Sequence, residues 1–269
     1  MTYLVVALKV EALPLIRAFG LKLDNSHPFE IYKSNSVELI ISGVGGARAS
    51  QALTYIYTIN KSVVDNNSFF LNIGTAGSSF LGVGEAFLAS SIKQDGAKKV
   101  FYPDNLFSKT IKKAELTSSI APAVVSDKNS NYDQEAYGFS EACESLLYTH
   151  QFGIFKIISD NLDDRSFKKE FINEIFSKHT ETISNYIEAV QERFDFEILG
   201  HKERKDIKNL SEKLGFSFSQ QVMFNNYAKY YKINQGDFAK FLDNYAKIGI
   251  SNKHNRNKIF SDVRQFLLT

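Results

Sequence analysis

The chain has 269 residues, 43% of them hydrophobic and 23% charged, with a formal net charge of +2 and a pI near 8.4. These are the fractions of an ordinary globular protein, and they exclude collagen-like, disordered and coiled-coil readings. No apolar run reaches the roughly 20 residues of a membrane span, and a single cysteine, Cys143, excludes an internal disulfide and points to the cytoplasm.

Thr2 to Leu8 (TYLVVAL) is a β-rich run and Val10 to Phe19 has helical spacing. Lys9 and Glu11 interrupt the apolar stretch, so the start reads as a strand and helix rather than a signal peptide. Glu30 to Lys33 and Val37 to Ser42 are predicted to pair as a hairpin across Ser34-Asn35-Ser36. A helix is expected over Ala47 to Ile59, then a buried-type strand over Phe69 to Ile73, with further strands over Gly84 to Ile92 and Ala123 to Ser126. Helix returns over Glu135 to Tyr148, followed by the strand Phe155 to Ile158 and one long helix from Phe167 to Phe194. Four helices are expected beyond Gly200: Lys205 to Leu214, Ser219 to Lys232, Asp237 to Ile248 and Asn255 to Leu268. The alternation predicts an α/β domain over residues 1–198, with a central mixed, mostly parallel sheet flanked by helices, and an all-α basic appendage over residues 199–269.

Candidate chemistry sits where predicted strands end, the usual place for ligands in open α/β sheets. Glu11 follows the first strand in Ala7-Leu8-Lys9-Val10-Glu11-Ala12. Gly74-Thr75-Ala76-Gly77 follows Asn72-Ile73, where small residues let a flat ligand approach the backbone. Ser159-Asp160 ends the strand Phe155 to Ile158, and Asp133-Gln134-Glu135 leads into a helix. Each has a plainer reading: Glu11 and Glu135 as partners of a helix dipole, Gly74 and Gly77 as turn formers, Asp160 as an N-cap.

Taken in order, these segments resemble the nucleoside phosphorylase and nucleosidase superfamily, most closely its methylthioadenosine/S-adenosylhomocysteine nucleosidase branch. The resemblance runs from Met1 to about Phe194. It rests on A-L-x-x-E-A at Ala7 to Ala12, S-G-V-G at Ser42 to Gly45, N-x-G-T-A-G at Asn72 to Gly77, V-G-E at Val83 to Glu85, D-Q-E-A at Asp133 to Ala136 and I-S-D at Ile158 to Asp160.

The resemblance implies hydrolysis of a purine N-ribosyl bond, with Asp160 as the acid at purine N7 beside Ser159. Glu11 would activate water, and Glu135 would hold the ribose hydroxyls and favour the positive sugar of the transition state. A protonated Asp160 calls for burial, which the end of its apolar strand is expected to supply. Thr75, Ala76 and Gly77 would line ribose and base, Leu8 and Val44 the apolar walls, and Phe167 would cover the substrate. Lys156 stands where nucleosidases carry an arginine near the water, and Gln134 replaces a methionine that packs beneath the ribose. Asn72 occupies the position of a phosphate-binding arginine in the phosphorylases, which favours water over phosphate as the nucleophile, although Arg48 could still reach a phosphate. Phe101, Tyr102 and Phe107 are candidates for stacking on the base. The purine nucleoside itself stays open, a homodimer is implied, and a phosphorylase or a nucleoside sensor without turnover are the alternatives.

None of the five histidines has ligand spacing, and no Walker-type or GxGxxG loop occurs, so no metal or organic cofactor is expected. In the basic appendage, Leu210 to Ser217 faintly resembles the first helix and turn of a helix-turn-helix. Gln221 falls where an apolar residue is usually buried. The reading therefore favours a packing, lid or assembly role over nucleic-acid contact.

Overall fold

The structure is a computed structural model that describes residues 1–105, 108, 110–120, 130–162, 168–194, 199–235 and 253–268. The chain divides into two compact units, Met1–Phe194 and Asp195–Thr269. Among the described residues no helix is long and apolar enough to cross a membrane.

The first unit is built on nine strands: β1 Thr2–Val6, β2 Lys22–Asp24, β3 Ile31–Lys33, β4 Val37–Ile41, β5 Phe69–Ser78, β6 Ala86–Gln94, β7 Lys112–Ser118, β8 Asn131–Asp133 and β9 Phe152–Asp160. Four helices accompany them: α1 Lys9–Ala18, α2 Gly46–Ile59, α3 Ala136–Leu146 and α4 Lys169–Phe194. The sheet runs β2-β3-β4-β1-β5-β8-β7-β6-β9, and β9 also pairs with β5. The second half therefore closes on itself around β5, which is hydrogen-bonded to β1, β8 and β9. Pairing is parallel between β1 and both β4 and β5, between β5 and β9, and along β6-β7-β8. It is antiparallel for β2-β3, β3-β4, β5-β8 and β6-β9.

Period-two alternation decides which core each strand residue enters. On β1, Tyr3 and Val5 join one cluster with Ala49, Leu53 and Ile56 of α2 and Phe139 and Cys143 of α3. Leu4 and Val6 join the opposite cluster with Ala12 and Leu15 of α1 and Ile175, Phe176 and Tyr186 of α4. Both faces are thus covered by helices, as parallel strands require.

The expected hairpin is present, with Ile31 opposite Ile40. β5 runs five residues beyond the predicted end, because β9 and β8 supply partners for Gly74 to Ser78. β2, β7 and β8 carry no clear sequence pattern; β2 pairs with β3, β7 with β6 and β8, and β8 also with β5. The predicted strand over Ala123 to Ser126 and the predicted helix over Asp237 to Ile248 lie outside the described residues.

The second unit contains α5 His201–Lys213, α6 Phe218–Gln235 and α7 Lys253–Leu268. Its core gathers Ile207, Leu210 and Leu214 of α5, Phe216 of the connection, Phe224, Ala228 and Tyr231 of α6, and Val263 of α7.

One close approach in the first unit needs glycine. A Cβ on Gly138 would overlap the carbonyl of Gly46, so the start of α2 rests directly on the first turn of α3. Gly138→Ala is expected to force the helices apart and cost about 1–3 kcal/mol, as overpacking of a dense interior does. Urea denaturation checks this; an unchanged midpoint would show that the two helices can separate freely.

Candidate active site

The site forms where β1, β5 and β9 end and the helices α1, α2 and α3 begin. Glu11 is in the first turn of α1 and only 1% exposed. Its Oε2 accepts the backbone N–H of Leu8 at 3.1 Å, capping α1, whose N-cap residue has no polar side chain of its own. Its Oε1 accepts both the backbone N–H (3.1 Å) and the hydroxyl (3.0 Å) of Thr75 on β5. Glu11 is thus a buried first-turn acid rather than a solvated dipole partner, with one oxygen on the start of α1 and the other on β5.

Glu135 immediately precedes α3. Its Oε1 accepts the N–H of Gly45, the residue before α2, at 2.9 Å. Gly45 has φ of 104°, a conformation that glycine adopts without strain. The direct seating of α2 on α3 through Gly46 and Gly138 brings that N–H to the carboxylate.

Between these two carboxylates lies Lys156 of β9, with no exposed surface. Its Nζ is 2.8 Å from Asp133 Oδ2 and 3.9 Å from Glu135 Oε2. The Asp133 contact is an ion pair without the alignment of a directed hydrogen bond. A Cβ on Gly74 would stand 3.2 Å from Lys156 Nζ and 3.9 Å from Glu11 Oε1, so glycine on β5 is what lets the ammonium approach Glu11.

Asp133, the last residue of β8, organises this arrangement. Its Oδ2 accepts the N–H of Ala136 at 2.9 Å, and its Oδ1 accepts the hydroxyl of Ser118. Ser118 in turn accepts the N–H of Tyr137 at 2.9 Å. Asp133 therefore ties the first turn of α3 to the lysine. Sequence reasoning placed this residue in a motif without giving it a role. The missing signal was its pairing with a lysine 23 positions later, which no local pattern encodes.

Burial is the largest influence on each charge. It pushes the Glu11 and Glu135 carboxyls above the ordinary carboxylate range, while Lys156 pulls both back in part. For Lys156, burial works against the ammonium, but Asp133, Glu135 and Glu11 together overcome it and raise the pKa.

Asp160 closes β9 and pairs in register with Gly77, two residues beyond Thr75 on β5. The register skips Ser159 at this point, a bulge that re-aims the end of the strand. Asp160 Oδ2 accepts the hydroxyl of Ser159 at 2.7 Å, and Oδ1 accepts the N–H of Leu162 at 2.9 Å. Leu162 is in the left-handed region (φ 62°), a conformation costly for a leucine; its N–H is held by Asp160 and its buried side chain lies against Gly77. A Cβ on Gly77 would fall 2.6 Å from Asp160 Oδ1. The expected burial of Asp160 is not supplied: Ile158 and Ser159 are buried, whereas Asp160 is partly exposed because the strand ends there.

The other expected residues are distributed around this centre. Leu8 and Val44 are exposed near the strand ends. Ala76 is buried in the core on the α2 and α3 side. Gln134 lies on the wall of a cleft of about 580 Å³ with Gly45, Gly46, Ser118 and Tyr137; the cleft adjoins Glu135 without being lined by the site carboxylates. Phe167 and Phe107 lie outside the described residues. Phe101 packs edge-on against Tyr137 in the core, and Tyr102 is exposed. Asn72 is buried and donates to the carbonyl of Val5 at 3.1 Å, linking β5 to β1. Arg48 is exposed and lies across Gly43. Among the described residues, no group of three or more His, Cys, Asp and Glu is arranged to hold a metal ion.

Comparison with solved structures identifies the fold. The 5'-methylthioadenosine/S-adenosylhomocysteine nucleosidase of S. pneumoniae, solved with the transition-state inhibitor MT-ImmA, superposes with a TM-score of 0.60 at 14% identity, over 70% of this chain and 99% of that one. The N. meningitidis nucleosidase in complex with methylthio-immucillin-A gives 0.53 at 16% identity, over 71% and 97%. The Arabidopsis thaliana 5'-methylthioadenosine nucleosidase in apo form gives 0.56 at 16% identity, over 70% and 95%. The chain thus contains the nucleoside phosphorylase/nucleosidase-like fold. No protein-family model matches the sequence, and no curated protein matches it.

The raised Glu11 pKa makes a stability prediction. A carboxyl whose folded value lies above its unfolded value contributes stability that is complete below about pH 4.5 and is lost as pH rises through the folded value. Glu11→Gln removes this loss. The variant is expected to gain stability relative to the parent as pH rises from 4 to 7, measured by urea denaturation at both values. A difference independent of pH would mean that Glu11 is not strained by its burial.

Proposed function

We propose that the first unit is a purine-nucleoside N-ribohydrolase that cleaves a 5'-substituted adenosine-type nucleoside with water. The observation that carries this reading is the buried Glu11, oriented through both oxygens and adjacent to the Lys156 ammonium at the end of β5. Burial raises the Glu11 carboxyl above the ordinary range, which makes its carboxylate a better proton acceptor than that of a solvated glutamate. In this reading Glu11 takes a proton from water as the water attacks the anomeric carbon. Lys156 keeps the water and Glu11 in a positive field.

Glu135, oriented by the Gly45 N–H, holds the ribose hydroxyls and stabilises the cationic sugar as the bond to the base breaks. Asp160, partly exposed without a ligand, is assigned to N7 of the departing purine, whose ring would cover the carboxyl on binding and supply the burial that a proton donor needs. Its present partners, the Ser159 hydroxyl and the Leu162 N–H, fix the carboxyl's orientation at the bulge. Attack and leaving-group protonation on opposite sides of the sugar follow the logic of an inverting glycosidase. The nucleosidase neighbours, whose structures hold immucillin-type inhibitors, support an adenosine-like ligand.

Water is favoured over phosphate by charge. The buried centre holds Glu11, Glu135 and Asp133 against Lys156, and Asn72, an uncharged amide, donates to the Val5 carbonyl where the phosphorylases carry a cation. A phosphate dianion would meet a buried field of its own sign, with the exposed Arg48 across Gly43 as the guanidinium nearest the loop before α2. Adenine should therefore be released from methylthioadenosine in phosphate-free buffer, followed by chromatography. Activity strictly dependent on added phosphate would replace the hydrolase with a phosphorylase, and binding without release would make the unit a sensor.

Asp160→Asn should lower kcat by about 10²- to 10⁴-fold, the usual worth of a general acid, with an unchanged melting temperature. Near-normal turnover in that variant would remove Asp160 from the reaction.

A further inference from the structure

The second unit has a surface that nucleoside hydrolysis does not use. Residues 199–269 carry 13 Lys and Arg against 6 Asp and Glu, whereas residues 1–198 carry 19 against 24. The positive charge of the chain is therefore concentrated in its last quarter. On α5 the side chains of Lys202, Lys205 and Lys208 are exposed, and on α7 those of Lys258 and Arg264 are exposed. Glu203 is paired with Lys232, so one acid and one base cancel each other.

The same unit has a specific helical geometry. α5 ends at Lys213 and α6 begins at Phe218, so four residues join them, and Gly215 makes the turn with φ of 61°. A three- or four-residue turn containing glycine is the connection of a helix-turn-helix, the motif whose second helix enters the major groove of DNA, and it also occurs in αα-hairpins. The turn is held from both sides. Leu214 and Phe216 are buried in the core around Gly215, and Arg256 of α7 donates to the Gly215 carbonyl at 3.3 Å.

Gln221, which sits at a place usually occupied by a buried apolar residue, fits after all. It is only half-buried, and its amide donates to the Phe216 carbonyl at 3.0 Å, closing the turn rather than breaking the core.

α6 is apolar or amide-bearing on two opposite sides. Phe224, Ala228 and Tyr231 face the core. Ser219, Val222, Met223 and Asn226 are exposed on the other side. Exposed short polar and apolar side chains at the start of a second helix are of the kind that read base edges: an Asn amide matches adenine, and apolar groups match the thymine methyl.

We propose that the second unit is a helix-turn-helix that binds duplex DNA, with the exposed side of the first turns of α6 in the major groove and the lysines of α5 on phosphate. B-form DNA is specified because its major groove admits a helix, whereas that of A-form RNA is too narrow.

The test uses the full chain and a fluorescently labelled 30-base-pair duplex of random sequence, read by anisotropy. Binding at 50 mM salt should weaken by about 10²-fold or more at 200 mM, as release of condensed counterions requires. Lys205→Glu combined with Lys208→Glu should weaken it by about tenfold or more. Asn226→Glu, an exposed change on α6, should do the same, with helical circular dichroism and melting temperature unchanged in both variants. Selection from a pool of random duplexes should enrich a shared sequence, and Asn226→Glu should abolish the enrichment.

Four results would each overturn the proposal: no duplex binding at 50 mM salt, tighter binding to single-stranded RNA, binding indifferent to the α6 change in a folded variant, or selection without enrichment. If the exposed α6 side instead mediated self-association, sedimentation would show a dimer that Val222→Glu disrupts while duplex binding is absent.

Discussion

One buried ammonium organises the first unit. Lys156 Nζ has no exposed surface, and a cation in that position is tolerable only with anions around it. Asp133, Glu135 and Glu11 are those anions, contributed by β8, the start of α3 and α1. Each acid is also bonded to backbone: Asp133 to the first turn of α3, Glu135 to the residue before α2, Glu11 to the start of α1 and to β5. The electrostatic centre therefore fixes the N-termini of three helices relative to the sheet. An apolar replacement of the whole set would fold comparably well in principle, since buried ion pairs are weak sources of net stability. What the charged set adds is two carboxylates of elevated pKa held in a defined place, which suits proton transfer rather than stability.

Glycine makes the geometry possible along β5. Gly74 admits the ammonium beside Glu11, and Gly77 admits the carboxylate of Asp160. Between them Thr75 aims its N–H and hydroxyl at Glu11. The strand is thus a rail with alternating open and donating positions, read by β9 through parallel pairing and re-aimed at Ser159 by the bulge. Glu11 is anchored at Thr75, and Asp160 lies opposite Gly77, two residues or ~7 Å further along the strand.

Much of this was readable from local pattern. The β1–α1 start, the β3–β4 hairpin and α2 follow from alternation, turn residues and helical spacing, because each depends on neighbours in sequence. The run Gly74 to Gly77 was the informative failure. Its small residues look like a loop, yet they are strand, because the reason for glycine is the close approach of side chains from β9 and α1. The expectation of a buried Asp160 failed for a related reason. An apolar strand predicts burial of its middle, while the last residue stands where the strand ends and neighbours are fewer. β7 and β8 lack the alternation of a half-buried strand, and β8 adds only two residue pairs to β5 and two to β7, so their sequences alone carry little signal. Asp133 belongs with them: its part in the site exists only once β8 lies near β9.

The lysine at 156 also has a physical explanation that bears on the chemistry. Its partner Asp133 is a short acid whose two oxygens are already committed to Ala136 and Ser118, leaving one direction at Oδ2 for a cation. A guanidinium presents a planar fork that is best met by both oxygens of a carboxylate, and this carboxylate cannot turn to meet it. A point charge on a flexible stem fits a carboxylate that accepts from one side only. The same compactness lets Nζ stand against Gly74 with Glu11 just beyond it. An aspartate tied to the backbone, a glycine opposite it and a lysine between them therefore form one solution, in which changing any member alone leaves either a void or an uncompensated charge.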